Sequence, residues 1–293
     1  MLHDAQDVAV EENASGWIFD EAVRTLRRYY GAGLDTLRIE RLVVGVFVTA
    51  VKLSNGCGGV AYTPPEIIEH AGRRVLHDYA TSIRGMTAAA VAQGGDIGPF
   101  SPVIRLATLN ALSVPILDER SRGCPSDDLA VYRPLVVGRR VCMVGAMIPL
   151  IDRLAELSPK AILVADKKYE TLEEVKKATV VPLDELPATL AGCDTAILTG
   201  ATIPNGSITG LLDMMSPRTA VVVTGPTGGF VPEPLFGRGV ALVGTTLVTD
   251  ADRTVDILSE GGGMYHLFDG CLRKISLPNT PRLRELGVLS ASV

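Results

Sequence analysis

The second half of this chain repeats one pattern, a short, largely apolar run that stops at a glycine, a threonine–glycine pair or an aspartate. Val136–Val144 stops at Gly145, Ala161–Ala165 at Asp166, Thr195–Leu198 at Thr199-Gly200, Ala220–Val223 at Thr224-Gly225, and Val240–Val243 at Gly244. A sheet with one wet face alternates apolar and polar residues; continuous apolar runs belong to strands covered on both faces. Helical stretches at Pro149–Leu157, Leu172–Lys177, Glu185–Leu190 and from Ser207 to about Met215 fall between the runs. The pattern predicts a parallel sheet flanked by helices, an α/β domain of Rossmann-like type.

The first half has a different texture. Ile18, Ala22, Val23, Leu26 and Tyr30 recur at helical spacing, which predicts a helix over 17–30 closed by Gly31 and Gly33. Ile39–Leu53 is long and β-branched and reads as one strand; Ser54–Gly59 is a turn cluster and Val60–Thr63 a second strand, so the segment predicts an antiparallel hairpin. Helices are expected over 79–92, before Gly94-Gly95, and from Ser101-Pro102 to Ser113, with serine as cap and proline at the first helical position. Strands followed by helices make an α+β unit. The polar, aperiodic stretch between Pro115 and Pro134 places a boundary near residue 125, giving domains 1–125 and 126–293. A chain of 293 residues is comfortable for two domains.

Composition narrows the functional classes. The formal net charge is -5 and the arginine clusters, Arg24-Arg27-Arg28 and Arg139-Arg140, are small and scattered, so no nucleic-acid footprint is present. The five cysteines, Cys57, Cys124, Cys142, Cys193 and Cys271, are far apart and odd in number, against a disulfide framework or a zinc ribbon. Apolar runs fall short of the roughly 20 residues of a membrane span, and no leader pattern opens the chain. The expected setting is soluble and cytoplasmic, and base rates favour a homo-oligomer.

Ligands of open parallel sheets bind beyond the carboxyl ends of the strands, where the strand order reverses. Gly145, Asp166, the stretch Thr199–Ser207 and the stretch Thr224–Gly229 fall at such ends. Glycines bring backbone N–H groups close to a ligand, and Thr199, Thr202, Asn205, Ser207 and Thr227 add uncharged donors and acceptors. Gly200, Gly206, Gly225 and Pro226 complete one wall of a pocket for a polar, anionic small ligand. A plain turn is the competing reading: Asn205-Gly206 is a common turn pair and Ser207 a common helix cap. The dinucleotide fingerprint is matched only by Asp166, twenty residues after a turn with one glycine. His70 and His77 are seven apart, about 10 Å along a helix, too far to share an ion unaided. Cys57 in its glycine-rich loop could ligate a soft metal as thiolate. Asn110, inside the apolar helix LATLNALS, and Glu260, ahead of Gly261–Gly263, are further candidates for the cleft, with Lys52 and Thr49 ambiguous. No nucleophile elbow, P-loop or zincin motif occurs.

The segments TGATIPNGSI and VVVTGPTGGFVPEPLFGRGVALVGTTLV resemble the DUF364 family, for which a role in heavy-metal chelation has been suggested. The upstream GVFVTAVKLSNGCGGVAYTP and LATLNAL are similar to its partner domain, DUF4213, which has an enolase-N-terminal-like fold. The resemblance implies a site in the cleft between the two domains, carried here by Thr199, Gly200, Thr202, Asn205, Gly206, Gly225, Pro226 and Thr227, with Gly59, Ala61 and Asn110 from the first domain. It implies a transition metal or metal complex as ligand. Ala146 stands where many members have histidine, and Gly-Pro-Thr-Gly-Gly where many have Gly-Pro-Ser-Thr-Pro, which removes one metal ligand. The alternative is an enzyme acting on a nucleotide-like or other anionic small molecule at the same cleft.

Overall fold

The computed structural model describes residues 16–74, 82–94, 97–122, 128–167 and 175–289. Its N-terminal part holds strands β1 (Ile39–Val44), β2 (Val48–Leu53) and β3 (Gly58–Tyr62) in an antiparallel sheet of that order, with helices α1 (Gly16–Tyr30), α2 (Pro65–Arg74), α3 (Ala88–Gln93) and α4 (Ser101–Ser121). After it come α5 (Asp128–Val136), β4 (Arg140–Val144), α6 (Ile148–Ala155), β5 (Ala161–Ala165), β6 (Thr179–Val180), α7 (Leu186–Ala191), β7 (Thr195–Thr199) and α8 (Ile208–Asp213). The chain continues through β8 (Ala220–Thr224), α9 (Glu233–Gly237), β9 (Val240–Val248), α10 (Ala251–Ser259), α11 (Met264–Leu267), β10 (Leu272–Pro278) and α12 (Thr280–Glu285).

The second sheet has seven strands in the order β10-β9-β8-β7-β4-β5-β6. All of its pairings are parallel except β9 with β10. Starting from β4, the chain first builds outward through β5 and β6, then returns to the other side of β4 with β7, β8 and β9. This is the Rossmann-like order, and the reversal lies between β4 and β7. The strands of its centre are buried almost throughout, which explains why they are apolar without alternation.

The two sheets share their packing. One buried cluster runs from Ile18 and Leu26 through Leu53 and Leu109 to Leu198, Phe230, Leu247 and Leu277. Helix α4 covers one face of the small sheet so closely that a Cβ on Gly59 would overlap the Ala107 carbonyl oxygen and the Ala111 nitrogen. On the other face, Val48, Ala50 and Val60 meet Val255 and Leu258 of α10, a helix that comes from the far end of the chain.

Several sequence expectations are corrected here. Residues 39–53 are two strands, not one: the chain turns at Gly45–Phe47, closed by the Gly45 N–H on the Val48 carbonyl at 3.1 Å. The residues beside the turn, Leu42–Val44 and Val48, are apolar and the turn itself contains Val46 and Phe47, so no polar signal marked it. Of the helix expected over 79–92, residues 75–81 lie outside the described residues and the helix begins only at Ala88, where the Thr87 hydroxyl accepts the Ala90 N–H at 3.3 Å. Gly85 and Met86 instead bond the Ile39 backbone. Helix α4 continues past Ser113, through Pro115, to Ser121, and Phe100 rather than Ser101 holds its cap position. Most of Leu172–Lys177 lies outside the described residues, and Val175–Lys177 is not helical. Strand β10, whose LRKISLP alternates too weakly to stand out, adds an antiparallel edge to the large sheet.

Candidate functional site

At the reversal between β4 and β7 the chain makes its tightest turn with glycine. Gly145 has φ +89°, and the space in front of its Cα is filled by the Thr199 side chain, whose Cβ lies 2.9 Å from where a Cβ of residue 145 would sit. The next N–H, of Ala146, donates to Asp166 Oδ2 at 2.6 Å. In a dinucleotide site the turn glycine admits a pyrophosphate and the acid at the second strand end takes the ribose. Here the glycine admits Thr199, and one oxygen of Asp166 holds the first turn. Neither feature serves a dinucleotide.

The Thr199–Ser207 loop answers to itself. Thr199 Oγ1 accepts the Ala201 N–H at 3.4 Å, and Thr202 Oγ1 donates to the Thr199 carbonyl at 2.7 Å. Asn205 Oδ1 accepts both the Ser207 N–H (3.1 Å) and the Ser207 hydroxyl (2.7 Å). Ser207 stands at the cap position of α8 yet makes no side-chain cap bond, because its hydroxyl is turned to Asn205. Two donors on Oδ1 fix the orientation of the amide and leave the NH₂ of the half-buried Asn205 as the end that the loop does not use. Gly206, at φ +78°, supplies the left-handed turn.

The Thr224–Gly229 loop bonds to the rest of the molecule. Thr224 Oγ1 accepts from the buried Tyr132 hydroxyl at 3.0 Å, in a space left by Gly244. Gly225 has φ +122°, which only glycine adopts freely. Its N–H donates to the Gly244 carbonyl, and its own carbonyl accepts from Thr245 Oγ1 at 3.1 Å. Thr227 Oγ1 accepts the Tyr62 N–H of β3 at 3.1 Å. Asn110, only 4 % exposed, donates through Nδ2 to the carbonyls of Val60 (2.6 Å), Thr227 (3.1 Å) and Pro226 (3.4 Å). Its Oδ1 is buried with no protein partner. Gly200 closes the two loops on each other: a Cβ there would lie 3.2 Å from Thr227 Cβ and from the Gly228 nitrogen.

The structure thus brings Gly145, Asp166, Thr199, Gly200, Thr202, Asn205, Gly206, Ser207, Gly225, Pro226, Thr227 and Asn110 to adjoining loops. Glu260 is exposed at the end of α10, beside the β1–β2 turn rather than the strand-end loops. The glycines after it cap that helix: Gly261 has φ +85° and the Gly262 N–H returns to the Ile257 carbonyl. Lys52 is held by Asp252 (2.8 Å) and Glu40 (2.9 Å), which push its ammonium up and keep it charged. Thr49 shares a hydroxyl bond with Thr63 at 3.0 Å. Tyr132, Tyr62 and Thr245 were not among the sequence candidates; each reaches the loops across a large separation in the chain, and none carries a local motif.

For metals the donor set is poor. Among the described residues no group of three or more His, Cys, Asp or Glu side chains could hold an ion. Burial pushes the Cys57 thiol up, against a smaller opposing effect of Asn55, so it is a weak thiolate donor. Cys142 and Cys193 are buried, with thiols pushed up to about 12 and about 11. His3, His77, Cys124 and the His70 side chain lie outside the described residues. No helix among the described residues is long and apolar enough to cross a membrane.

Comparison with known proteins fits this architecture. Residues 127–277 match the sequence profile of DUF364 and residues 27–113 that of DUF4213, both described as "Putative heavy-metal chelation". A DUF364 protein of unknown function from Pyrococcus horikoshii superimposes with a TM-score of 0.66 at 20% identity, over 90% of this chain and 99% of that one. One from Desulfitobacterium hafniense DCB-2 gives 0.64 at 18% identity, over 91% and 99%. An uncharacterized protein of Methanocaldococcus jannaschii is 23% identical over 172 residues, 59% of this chain, and the match spans 64% of that relative's length. With its profile matched over more than half of its length and the fold shared over 90% of it, this chain belongs to the DUF364 family and carries a DUF4213 domain ahead of it.

Proposed function

We propose that this protein binds a small organic anion at the carboxyl edge of its seven-stranded sheet, over the 199–207 and 225–229 loops, in the cleft toward the DUF4213 domain. One observation carries the reading: Asn205 Oδ1 is occupied by the Ser207 N–H and hydroxyl, which leaves its NH₂ as the donor we assign to the ligand, in loops that contain no charged residue of their own. Amide and backbone donors suit the oxygens of a carboxylate or phosphate, and the Asp166 carboxylate at the adjoining strand end is engaged by the Ala146 N–H. Metal handling, the role suggested for the family, is compatible when the metal arrives already held by an organic ligand, since the described donors form no centre of their own.

The test is a thermal-shift and calorimetric panel on demetallated, tag-free protein. It compares inorganic pyrophosphate, nucleotides and polycarboxylates with bare divalent metals. A ligand specific to the native state raises the melting temperature by mass action. An organic anion should give a saturable shift that Asn205→Ala abolishes while the unliganded protein stays folded, with its stability lowered by less than about 1 kcal/mol. A saturable shift by a bare transition metal, with one metal retained per chain and no response to any anion, would overturn the reading.

A further inference from the structure

We infer that Trp17 is a positioning residue for the proposed anion site: its indole N–H holds the first turn of α8 and thereby sets the Asn205–Ser207 turn that carries the donor amide. The inference rests on the proposed site and says what keeps it in shape.

Helix α8 is weak on its own. It has six residues, and a helix of that length is not stable in water without tertiary contacts. A serine at the cap position ordinarily accepts an N–H of the first turn. Here the Ser207 hydroxyl is given to Asn205 Oδ1 at 2.7 Å and makes no cap bond. The bond that orients the Asn205 amide therefore removes the cap of the helix that follows. Ile208, Leu211 and Leu212 bury one side of α8, but apolar contact is non-directional and leaves the exact set of the first turn to other groups.

Trp17 supplies the directional contact. Its Nε1–H donates to Thr209 Oγ1 at 2.9 Å, two residues after Ser207 in the chain and 192 residues from Trp17 itself. The Arg238 guanidinium lies 5.1 Å from the centroid of the same indole and bonds Asp213 Oδ1 at 2.5 Å, so both ends of α8 are tied to one side chain. The indole has a firm base. Trp17 sits in the first turn of α1, whose Ile18, Phe19, Ala22, Val23 and Leu26 are buried, and it packs against the cluster that also receives Ile208, Leu211 and Leu212.

The contacts between Trp17 and the donor amide are continuous. The indole bonds Thr209, the Ser207 carbonyl accepts the Leu211 N–H at 3.1 Å within the same turn of helix, and the Ser207 hydroxyl bonds Asn205. The first domain thus sets the geometry of a loop in the second domain without touching the ligand.

The experiment is calorimetric titration of the full chain with inorganic pyrophosphate and with citrate, alongside nitrogen-15 spectra of the unliganded protein in which the Asn205 and Asn110 side-chain amides are assigned. Trp17→Phe keeps an aromatic ring beside Arg238 and removes the N–H; Thr209→Val removes the acceptor and keeps the shape. Each should weaken the anion that wild type binds by about 5-fold, the scale of one lost hydrogen bond. The double variant should be no weaker than either single one, because both remove the same bond. Both should move the Asn205 amide signals and leave those of Asn110, on the other loop, in place; a Trp17 that only packs would lower the urea midpoint without either change. Should Trp17→Phe fail to fold, Thr209→Val carries the test alone. Unchanged affinity and unchanged Asn205 signals in the folded variants, with Asn205→Ala still abolishing binding, overturn the inference while the anion site stands. Additive losses in the double variant overturn it equally, since the two residues then act separately. Binding of neither anion by wild type removes the anion site and this inference with it.

Discussion

Two loops of this protein begin alike and are used differently. Thr199-Gly200 and Thr224-Gly225 end adjacent parallel strands, in register with each other. The first loop bonds within itself: Thr199 with Ala201, Thr202 with Thr199, Asn205 with Ser207. The second bonds outward, to Tyr132 on α5, to Thr245 on β9, to Tyr62 on β3 and to Asn110 on α4. The first loop satisfies its polar groups locally and leaves the Asn205 amide nitrogen as the donor on which the proposed site depends. The second satisfies distant elements and is a joint that forms the floor of that proposed site. The same residue types at equivalent strand ends therefore divide between local and long-range bonding.

The largest test of this division is at the joint. Asn110→Leu removes the donor shared by the Val60 and Thr227 carbonyls and leaves both buried without it; the cost should be about 3 kcal/mol or more, read as a lower urea midpoint. Gly145→Ala comes next, at about 2 kcal/mol, since it combines overlap with Thr199 and a left-handed backbone. Adding Thr199→Ser, which removes the γ-methyl 2.4 Å from the new Cβ but keeps the Cβ at 2.9 Å, should recover only part of the overlap cost and none of the part due to φ. Thr227→Val, which removes only the acceptor for the Tyr62 N–H, should cost about 1–2 kcal/mol. Asn205→Ala, in the self-contained loop, should cost less than about 1 kcal/mol and yet abolish anion binding. If Asn205→Ala destabilises as much as Asn110→Leu, the distinction between the loops fails.

The smallest effect near neutrality concerns Cys142 and Cys193, which pack beside the β4–β7 pair. Burial first, then mutual repulsion for Cys142, pushes their thiols from 9.0 to about 12 and about 11. Above the ordinary value the unfolded chain loses these protons while the folded chain keeps them, so stability falls as pH rises. Unfolding free energy from these groups should be flat below pH 9 and decline from there toward pH 11. Replacing both cysteines by alanine should flatten that alkaline limb, as measured by denaturant titration across the range. The native thiols should also resist modification at pH 8.

Much of the large sheet was legible because its signal is local. A buried parallel strand must be apolar at every position, and its end must be a turn, so β5, β7, β8, the start of β9 and the end of β4 could be read directly; the start of β4 could not, because Val136 closes α5 and the strand begins only at Arg140. The β1–β2 turn was not legible, because Val46 and Phe47 are apolar residues in an exposed position, against the usual direction of the hydrophobic effect. The small site residues were legible as a group, since strand-end glycines and threonines stand out among valines. Their individual roles were not. Asp166 looks like a ribose acid in sequence and holds the Ala146 N–H in the structure. Asn110 looks like a cleft residue and is a clamp with one orphan oxygen.

By itself the sequence determined the Rossmann-like sheet and membership of DUF364, because both are encoded in contiguous residues. Only the tertiary structure decided which polar groups are consumed by the fold and which remain available. That choice depends on pairs such as Thr227 with Tyr62 and Asn110 with Thr227, more than one hundred residues apart. A donor can be counted in a sequence, but whether it is already satisfied depends on what the folded chain places within about 3 Å of it.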